Sequence, residues 1–164
     1  MTDPEIDDLA VRVGAFLAAR AWMLATAESC TGGWVAEAVT SVAGSSGWFE
    51  RGFVTYSNAA KASMLGVAEA TLAAHGAVSE PVAAEMAAGA RIHSRAQVAI
   101  SVTGVAGPGG GSPGKPVGTV CFGWSWIGGQ RVETRRFAGD RREVRRQSVI
   151  HALTQLLAIP ENPR

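Results

Sequence analysis

Apolar residues recur along the chain in two spacings, and each spacing predicts a different element. Near the N-terminus, Ile6, Leu9 and Val13 follow one another at intervals of three or four positions. Such a spacing gives a helix one apolar face, so it predicts an amphipathic helix over residues 4–20. The next apolar run, residues 22–26, is short and is typical of a buried strand.

Helical and strand patterns then alternate to the end of the chain. We predict helices over 34–39, from a cap at Asn58 to Leu65, over 68–75, from a cap at Ser79 to about His93, and from Asp140 to Ala158. We predict further strands over 49–56, 96–103, 117–126 and 131–137, the last two joined as a hairpin. This order predicts a three-layer α/β/α sandwich around a mixed, mostly parallel sheet, forming one domain over residues 1–164.

Composition and charge narrow the class of protein. The chain has 164 residues, 47% hydrophobic and 18% charged, which suffices for one core and excludes intrinsic disorder. Its net charge of +1 argues against binding nucleic acid or a membrane through global charge. No apolar run approaches the ~20 residues that span a bilayer, and the acidic N-terminus is unlike a signal peptide. Cys30 and Cys121 have neither disulfide nor metal spacing, so we expect a soluble, reduced, cytoplasmic protein.

The polar turn after the first predicted strand is a candidate site. Residues 28–33 read Glu-Ser-Cys-Thr-Gly-Gly and precede a predicted helix, a position where α/β folds place their chemistry. Ser29, Cys30 and Thr31 are three possible nucleophiles at a helix N-terminus, where free N–H groups favour a developing negative charge. Plain capping of the helix is the alternative, and it is the commoner role of a serine or threonine there.

Lysine is rare, which draws attention to Lys61. The chain has only Lys61 and Lys115 against 13 arginines. A buried lysine can lose its proton and act as a base, whereas arginine cannot. A Ser29–Lys61 pair of nucleophile and base is therefore conceivable, and a solvated lysine on a helix face is the alternative.

A glycine-rich segment follows the predicted strand 96–103. Residues 109–116 nearly match the phosphate-binding P-loop, but Pro116 has no hydroxyl to ligate magnesium and a strand follows instead of a helix. The segment also satisfies Gly-x-Gly-x-x-Gly without opening the helix that a dinucleotide fingerprint needs. Its exposed N–H groups are suited to wrapping an anion, and a floppy surface connection is an equally good interpretation.

Arginines and histidines give weaker indications. Seven of the 13 arginines lie in residues 131–146, where a solvated helix face is a simpler interpretation than a phosphate or nucleic-acid site. His75, His93 and His151 have no paired ligand spacing, so we expect no metal.

Six segments, taken in order, resemble the CinA C-terminal domain family. They are residues 27–33 (AESCTGG), 44–46 (GSS), 54–61 (VTYSNAAK), 75–79 (HGAVS), 103–110 (TGVAGPGG) and 115–120 (KPVGTV). The resemblance runs in register from about residue 5 to about residue 158. Free-standing bacterial members of this family are nicotinamide-nucleotide amidohydrolases.

The resemblance implies a metal-free and cofactor-free deamidation of nicotinamide mononucleotide, and a homodimer. It makes Ser29 the nucleophile and Lys61 the base, with Tyr56 and Thr103 lining the site and Ser46 assisting there. Lys61 or Tyr56 would return a proton to the leaving ammonia. Together with the residue analysis it gives these substrate-binding candidates: Thr31, Gly32, Ser46, Thr103, Gly104, Gly107, Gly109, Gly110 and Arg142. The glycine loop of residues 104–111 would hold the ribose-phosphate, and the N–H groups of residues 30–33 are candidates for the oxyanion.

The pKa of a lysine base must be lowered, which sets a further expectation for Lys61. We expect it to be desolvated or to lie near another cation, for which Arg141, Arg142 and Arg145 are candidates. The same three arginines are alternatively candidates for the substrate phosphate.

Two departures from the family and one alternative function accompany this prediction. Ala59 occupies a position where the family commonly has Glu, and we expect little effect because Tyr56 and Lys61 are retained. No partner domain of the longer CinA proteins precedes the chain, so we expect no pyrophosphatase activity. A nucleotide-binding regulatory or competence-associated module without turnover is the alternative function. We expect a small-molecule substrate and no nucleic-acid or membrane partner.

Overall fold

The computed structural model describes residues 2–161, so the two ends of the predicted domain 1–164 lie outside the described residues. Its helices are α1 (Pro4–Arg20), α2 (Trp34–Thr40), α3 (Asn58–Leu65), α4 (Glu69–His75), α5 (Glu80–Ile92) and α6 (Arg141–Leu156). Its strands are β1 (Leu24–Glu28), β2 (Phe49–Val54), β3 (Val98–Gly104), β4 (Thr119–Trp126) and β5 (Gly129–Arg136). Within residues 2–161, no helix has the length and apolar character needed to cross a bilayer.

The five strands form one mixed sheet in the order β2-β1-β3-β4-β5. β1 pairs in parallel with β2 and β3, whereas β4 pairs antiparallel with both β3 and β5. Four strands therefore run in one direction and only β4 opposes them, which confirms the predicted mixed sheet. Because β1 and β3 are parallel neighbours, the turns that follow them lie at the same edge of the sheet.

The two faces of the sheet carry side chains of different size, and helices cover both. Helices α1, α2 and α6 pack on a face of large apolar residues that includes Leu24, Ile100 and Trp124. Helix α5, with α3 beside it, covers a face of small residues such as Ala25, Ala27 and Ala99. At Gly123 on this face, an added Cβ would lie 2.5 Å from the Ala83 carbonyl of α5. The small residues let α5 approach closely, and the predicted three-layer sandwich is confirmed.

Side-chain caps fix where four helices begin. Asp3, Ser79 and Asp140 accept hydrogen bonds from the first turns of α1, α5 and α6. The predicted cap of α3 was wrong by one residue, because Ser57 Oγ accepts from the Ala60 N–H at 3.0 Å while Asn58 is the first helical residue. This cap directs α3 so that Lys61, on its second turn, points back toward the end of β1.

Candidate active site

A cavity of about 320 Å³ opens at the edge of the sheet where β1 and β3 end. Its walls come from the turn after β1, the segment that leads into α3, and residues 77–78, 103–107 and 109–110. Arg141 at the start of α6 completes the lining. Three sequence candidates from separate parts of the chain, Ser29, Tyr56 and Lys61, therefore face one space.

Ser29 and Lys61 are in direct contact inside this cavity. Lys61 Nζ lies 3.1 Å from Ser29 Oγ, and the whole side chain of Lys61 is only 1% exposed. Nζ also lies 3.1 Å from the Thr55 carbonyl and 3.2 Å from the Tyr56 carbonyl. Two carbonyls can accept two hydrogens of a neutral amine, which leaves its lone pair for the serine hydroxyl.

Burial lowers the pKa of Lys61, because desolvation disfavours the ammonium ion. Cys30 opposes this to a smaller extent. The Cys30 thiol is itself buried, and burial together with the nearby Glu28 charge raises its pKa to about 12. Cys30 is therefore a neutral thiol beside the serine, whereas burial shifts the protonation equilibrium of Lys61 toward the uncharged form that a base requires.

Glu28, which the sequence analysis did not single out, organises the turn from the opposite face of the sheet. Its buried carboxylate accepts hydrogen bonds from Thr31 Oγ1 at 2.6 Å, Val35 N at 2.7 Å and Ala36 N at 3.1 Å. Burial raises the pKa of Glu28, and these hydrogen bonds oppose that rise. The sequence does contain a signal for this role, because a carboxylate just before a predicted helix is well placed to accept hydrogen bonds from the N-terminal N–H groups of that helix.

The turn from Ser29 to Gly33 presents fewer free N–H groups than the sequence analysis expected. Gly32 N donates to the Ser29 carbonyl at 3.0 Å, and the Thr31 side chain is directed at Glu28. Neither Thr31 nor Gly32 lines the cavity. Cys30 does line it, and among residues 2–161 its N–H donates to no main-chain carbonyl and to no side chain of another residue.

The glycine loop after β3 forms the opposite wall. Thr103 Oγ1 donates to the Ala77 carbonyl at 2.9 Å, which ties the loop to the segment before α5. Ala106 and Gly107 are buried, and within the described residues their N–H groups have no acceptor. Two consecutive N–H groups without an acceptor, in residues that line a cavity, are suited to binding an anion.

Arg141, rather than Arg142, is the arginine that lines the cavity. It donates to the Gly107 carbonyl at 2.8 Å and to the Tyr56 hydroxyl at 3.1 Å, across the mouth of the site. The Tyr56 side chain is 61% exposed there. Arg142 does not line the cavity, and its guanidinium lies over the Trp34 ring, 5.0 Å from the ring centroid.

The remaining candidates divide between the cavity and other places. Gly104, Gly109 and Gly110 line the cavity beside Thr103. Ser46 does not, because it lies in a 3-10 turn just before β2. The start of β2 is at the edge of the sheet opposite the cavity, since β2 runs parallel to β1. Asn58 lines the cavity although the sequence analysis considered it only as a helix cap.

No three His, Cys, Asp or Glu side chains of residues 2–161 gather closely enough to hold a metal ion. The sequence expectation of a metal-free reaction remains a prediction, which a chelator tests directly.

The fold and the cavity together define an α/β/α-sandwich protein with a buried serine–lysine pair at the carboxyl edge of its sheet. The chain belongs to the CinA C-terminal domain family, which it matches over residues 6–159. It is 58% identical over 157 residues to nicotinamide-nucleotide amidohydrolase PncC of Escherichia coli strain K12, covering 95% of each chain. It is 54% identical over 159 residues to the Pseudomonas putida protein of the same name, covering 96% of this chain and 98% of that one.

The fold of the chain is also similar to that of a solved structure. The competence/damage inducible protein CihA of Agrobacterium tumefaciens is 46% identical to this chain. The two align with a TM-score of 0.94, covering 96% of this chain and 97% of that protein. The family resemblance in the sequence analysis is thereby confirmed.

Proposed function

We propose that this protein is a nicotinamide-nucleotide amidohydrolase that converts nicotinamide mononucleotide and water to nicotinate mononucleotide and ammonia. The observation that carries the proposal is the 3.1 Å contact between Ser29 Oγ and the buried Lys61 Nζ inside a cavity. The E. coli and P. putida relatives are nicotinamide-nucleotide amidohydrolases by name, which supports the same reaction. The reaction would serve the recycling of pyridine nucleotides.

The first chemical step is acylation of Ser29. Neutral Lys61 accepts the hydroxyl proton as Ser29 Oγ attacks the carboxamide carbon, and the carbonyl oxygen becomes an oxyanion. Cys30 directly follows the nucleophile, and its N–H donates to no other residue of the described chain. This N–H is therefore our candidate donor to the oxyanion. The Thr55 and Tyr56 carbonyls hold the Lys61 ammonium that results.

Collapse of the tetrahedral intermediate breaks the C–N bond. Lys61 returns its proton to the leaving nitrogen, so ammonia departs and a nicotinoyl ester remains on Ser29. Lys61, neutral again, then takes a proton from water, whose oxygen attacks the ester. Ser29 leaves with that proton, and nicotinate mononucleotide is released. Tyr56 assists from the mouth of the cavity, where Arg141 fixes its hydroxyl.

The phosphate of the substrate is assigned to the glycine loop. The consecutive N–H groups of Ala106 and Gly107 and the guanidinium of Arg141 meet at one side of the cavity. Binding energy from a remote phosphate positions the reacting carboxamide. Nicotinamide riboside, which lacks the phosphate, should therefore show a kcat/KM at least tenfold lower than the mononucleotide. Equal values for the two substrates would remove the phosphate from this loop.

The proposal also covers the cellular compartment, the oligomeric state and the partners of the enzyme. We infer a cytoplasmic homodimer that acts on a small molecule without nucleic acid or membrane. The buried free cysteines and a net charge of +1 support the compartment and the absence of nucleic acid. The homodimer follows from the family resemblance, and size-exclusion chromatography with light scattering tests it.

The deciding experiment measures ammonia release from nicotinamide mononucleotide with EDTA present. Wild type should release ammonia, Ser29→Ala should lose at least a thousandfold in kcat, and Ser41→Ala should match wild type as the serine control. Ser41 lies at the end of α2, away from the cavity. A folded wild type that binds the mononucleotide and releases no ammonia would overturn the proposal in favour of a binding module.

A further inference from the structure

Arg145 of α6 reaches across to the nucleophile turn without lining the cavity. Its Nε donates to the Cys30 carbonyl at 3.1 Å, and its Nη2 donates to the Thr31 carbonyl at 3.2 Å. Its guanidinium carbon lies 5.5 Å from the centroid of the Trp34 ring, on the first residue of α2. One side chain therefore binds two successive carbonyls of the turn that carries Ser29.

Peptide geometry transmits these contacts to the N–H groups of the turn. In a trans peptide the C=O and the N–H point in opposite directions. When Arg145 binds the Thr31 carbonyl, the Gly32 N–H of the same peptide is turned away from α6, and it donates to the Ser29 carbonyl at 3.0 Å. The Ser29 carbonyl is in turn fixed, and so is the Cys30 N–H, which shares its peptide.

We propose that Arg145 is a positioning residue that holds the Cys30 N–H toward the oxyanion, through the peptides that follow Thr31 and Ser29. The inference rests on the proposed amidohydrolase function and names a residue that shapes its transition state. Arg145 touches neither Ser29 Oγ nor the cavity, so it acts only through the main chain of the turn.

Arginine suits this role for a geometric reason. Its planar guanidinium presents donors at fixed separations and binds two acceptors at once, whereas a lysine ammonium is a compact charge on a flexible stem. The anchoring of α6 to the rest of the fold does not depend on Arg145, because Val144, Val149 and Leu153 of α6 are fully buried in the core. Loss of Arg145 should therefore leave the fold intact.

The first test is steady-state kinetics on nicotinamide mononucleotide with Arg145→Met, Arg145→Lys and a matched control. The control is Arg146→Met, which removes the contacts of the next residue of α6 with Asp3 and Glu5 and leaves the turn untouched. A displaced oxyanion donor costs about 10²-fold in kcat. We expect that loss for Arg145→Met, about tenfold for Arg145→Lys, and nearly unchanged KM in both.

The pattern across the variants separates positioning from a structural role. An effect only on the transition state lowers kcat and kcat/KM together. An effect of losing any arginine contact of α6, rather than the contacts with the turn, would lower kcat in Arg146→Met as well. If Arg145→Met is folded and retains the wild-type kcat, the inference is overturned while the proposed function stands. If the wild type releases no ammonia, the proposed function fails instead.

The second test does not depend on the substrate. Hydrogen exchange, followed by mass spectrometry on the segment that contains residues 28–34, reports the Gly32 N–H that the turn protects. We expect exchange there to be at least tenfold faster in Arg145→Met and unchanged in Arg146→Met. Equal exchange in all three proteins would overturn the inference whatever the substrate is.

Discussion

Two buried ionisable side chains lie close to the nucleophile turn in opposite layers of the fold, and their surroundings differ. Glu28 and Lys61 are each only 1% exposed. Glu28 ends β1 and accepts three hydrogen bonds from residues 31, 35 and 36, all within its own turn and the helix that follows. Lys61 comes from α3 and contacts two carbonyls and the Ser29 hydroxyl beside an open cavity.

The difference between the two regions is one of access rather than burial. The donors to Glu28 are the Thr31 hydroxyl and two main-chain N–H groups of α2, and neither Glu28 nor these residues line the cavity, so we expect the carboxylate to act as a structural anchor. The donors and acceptors around Lys61 include a hydroxyl that faces the cavity, so its proton can move. In the proposed mechanism, equal burial accompanies a structural role for Glu28 on one face of the sheet and a chemical role for Lys61 on the other. Four predictions, in order of expected effect, test this contrast.

The largest effect should come from replacing Lys61 with methionine. Lys61→Met should lower kcat about 10³- to 10⁴-fold, because it removes the proposed general base. It should keep or raise the thermal midpoint, because a buried amine is replaced by an apolar chain. Turnover assays and thermal unfolding measure the two effects separately. A loss of both activity and stability would show that Lys61 is an anchor like Glu28.

Glu28→Gln should have the opposite pattern, with a loss in the free energy of unfolding as its main effect. The carboxamide keeps the shape, but its NH2 group meets a backbone N–H, so buried donors lose an acceptor at a cost of about 2–3 kcal/mol in the free energy of unfolding. Urea denaturation measures this loss. Glu37→Gln, on the exposed side of α2, is the control and should change stability by less than about 0.5 kcal/mol. A Glu28→Gln protein as stable as wild type would contradict the anchoring role.

The sequence predicts most of the helices and strands well, for physical reasons that are local, whereas the roles of Ser29 and Lys61 as nucleophile and base stay predictions. The apolar spacing over 4–20 and the caps at Ser79 and Asp140 depend only on neighbouring residues, and they match α1, α5 and α6. The contact between Ser29 and Lys61 could be anticipated because lysine is rare in the chain and Ser29 precedes a predicted helix, and because the family resemblance implied a role for both residues.

The roles of the arginines of α6 could not be predicted from the sequence, because they depend on which way the helix faces. Arg141, Arg142 and Arg145 lie within five residues, yet one lines the cavity, one stacks on Trp34 and one binds the turn. Only the packing angle of α6 separates these roles. Ser46 was expected beside the cavity and lies elsewhere for a related reason. The order of elements in the sequence does not tell at which edge of the sheet a connecting turn lies.

The pH dependence should follow Lys61. Burial lowers the pKa of Lys61 from the ordinary value of 10.5. Only the neutral amine accepts a proton, so kcat/KM should rise about tenfold per pH unit below the pKa of Lys61 in the enzyme and become level before pH 10.5. Initial rates across the pH range measure this limb. If the residual activity of Lys61→Met still rises with pH in the same way, the rise is due to the titration of another group and not of Lys61.

The smallest effect should come from Thr31→Val, which removes one hydrogen bond on the Glu28 side and leaves the cavity unchanged. The Thr31 hydroxyl is fully buried and donates to Glu28 at 2.6 Å. Because valine has nearly the same shape, the free energy of unfolding should fall by about 1–2 kcal/mol through the lost charge-assisted bond alone. Denaturant unfolding measures this, and KM for the mononucleotide should stay within about twofold of wild type, since the side chain faces away from the cavity. A tenfold higher KM at unchanged stability would instead place Thr31 against the substrate, as the sequence analysis expected, and would blur the division between an anchoring face and a chemical face.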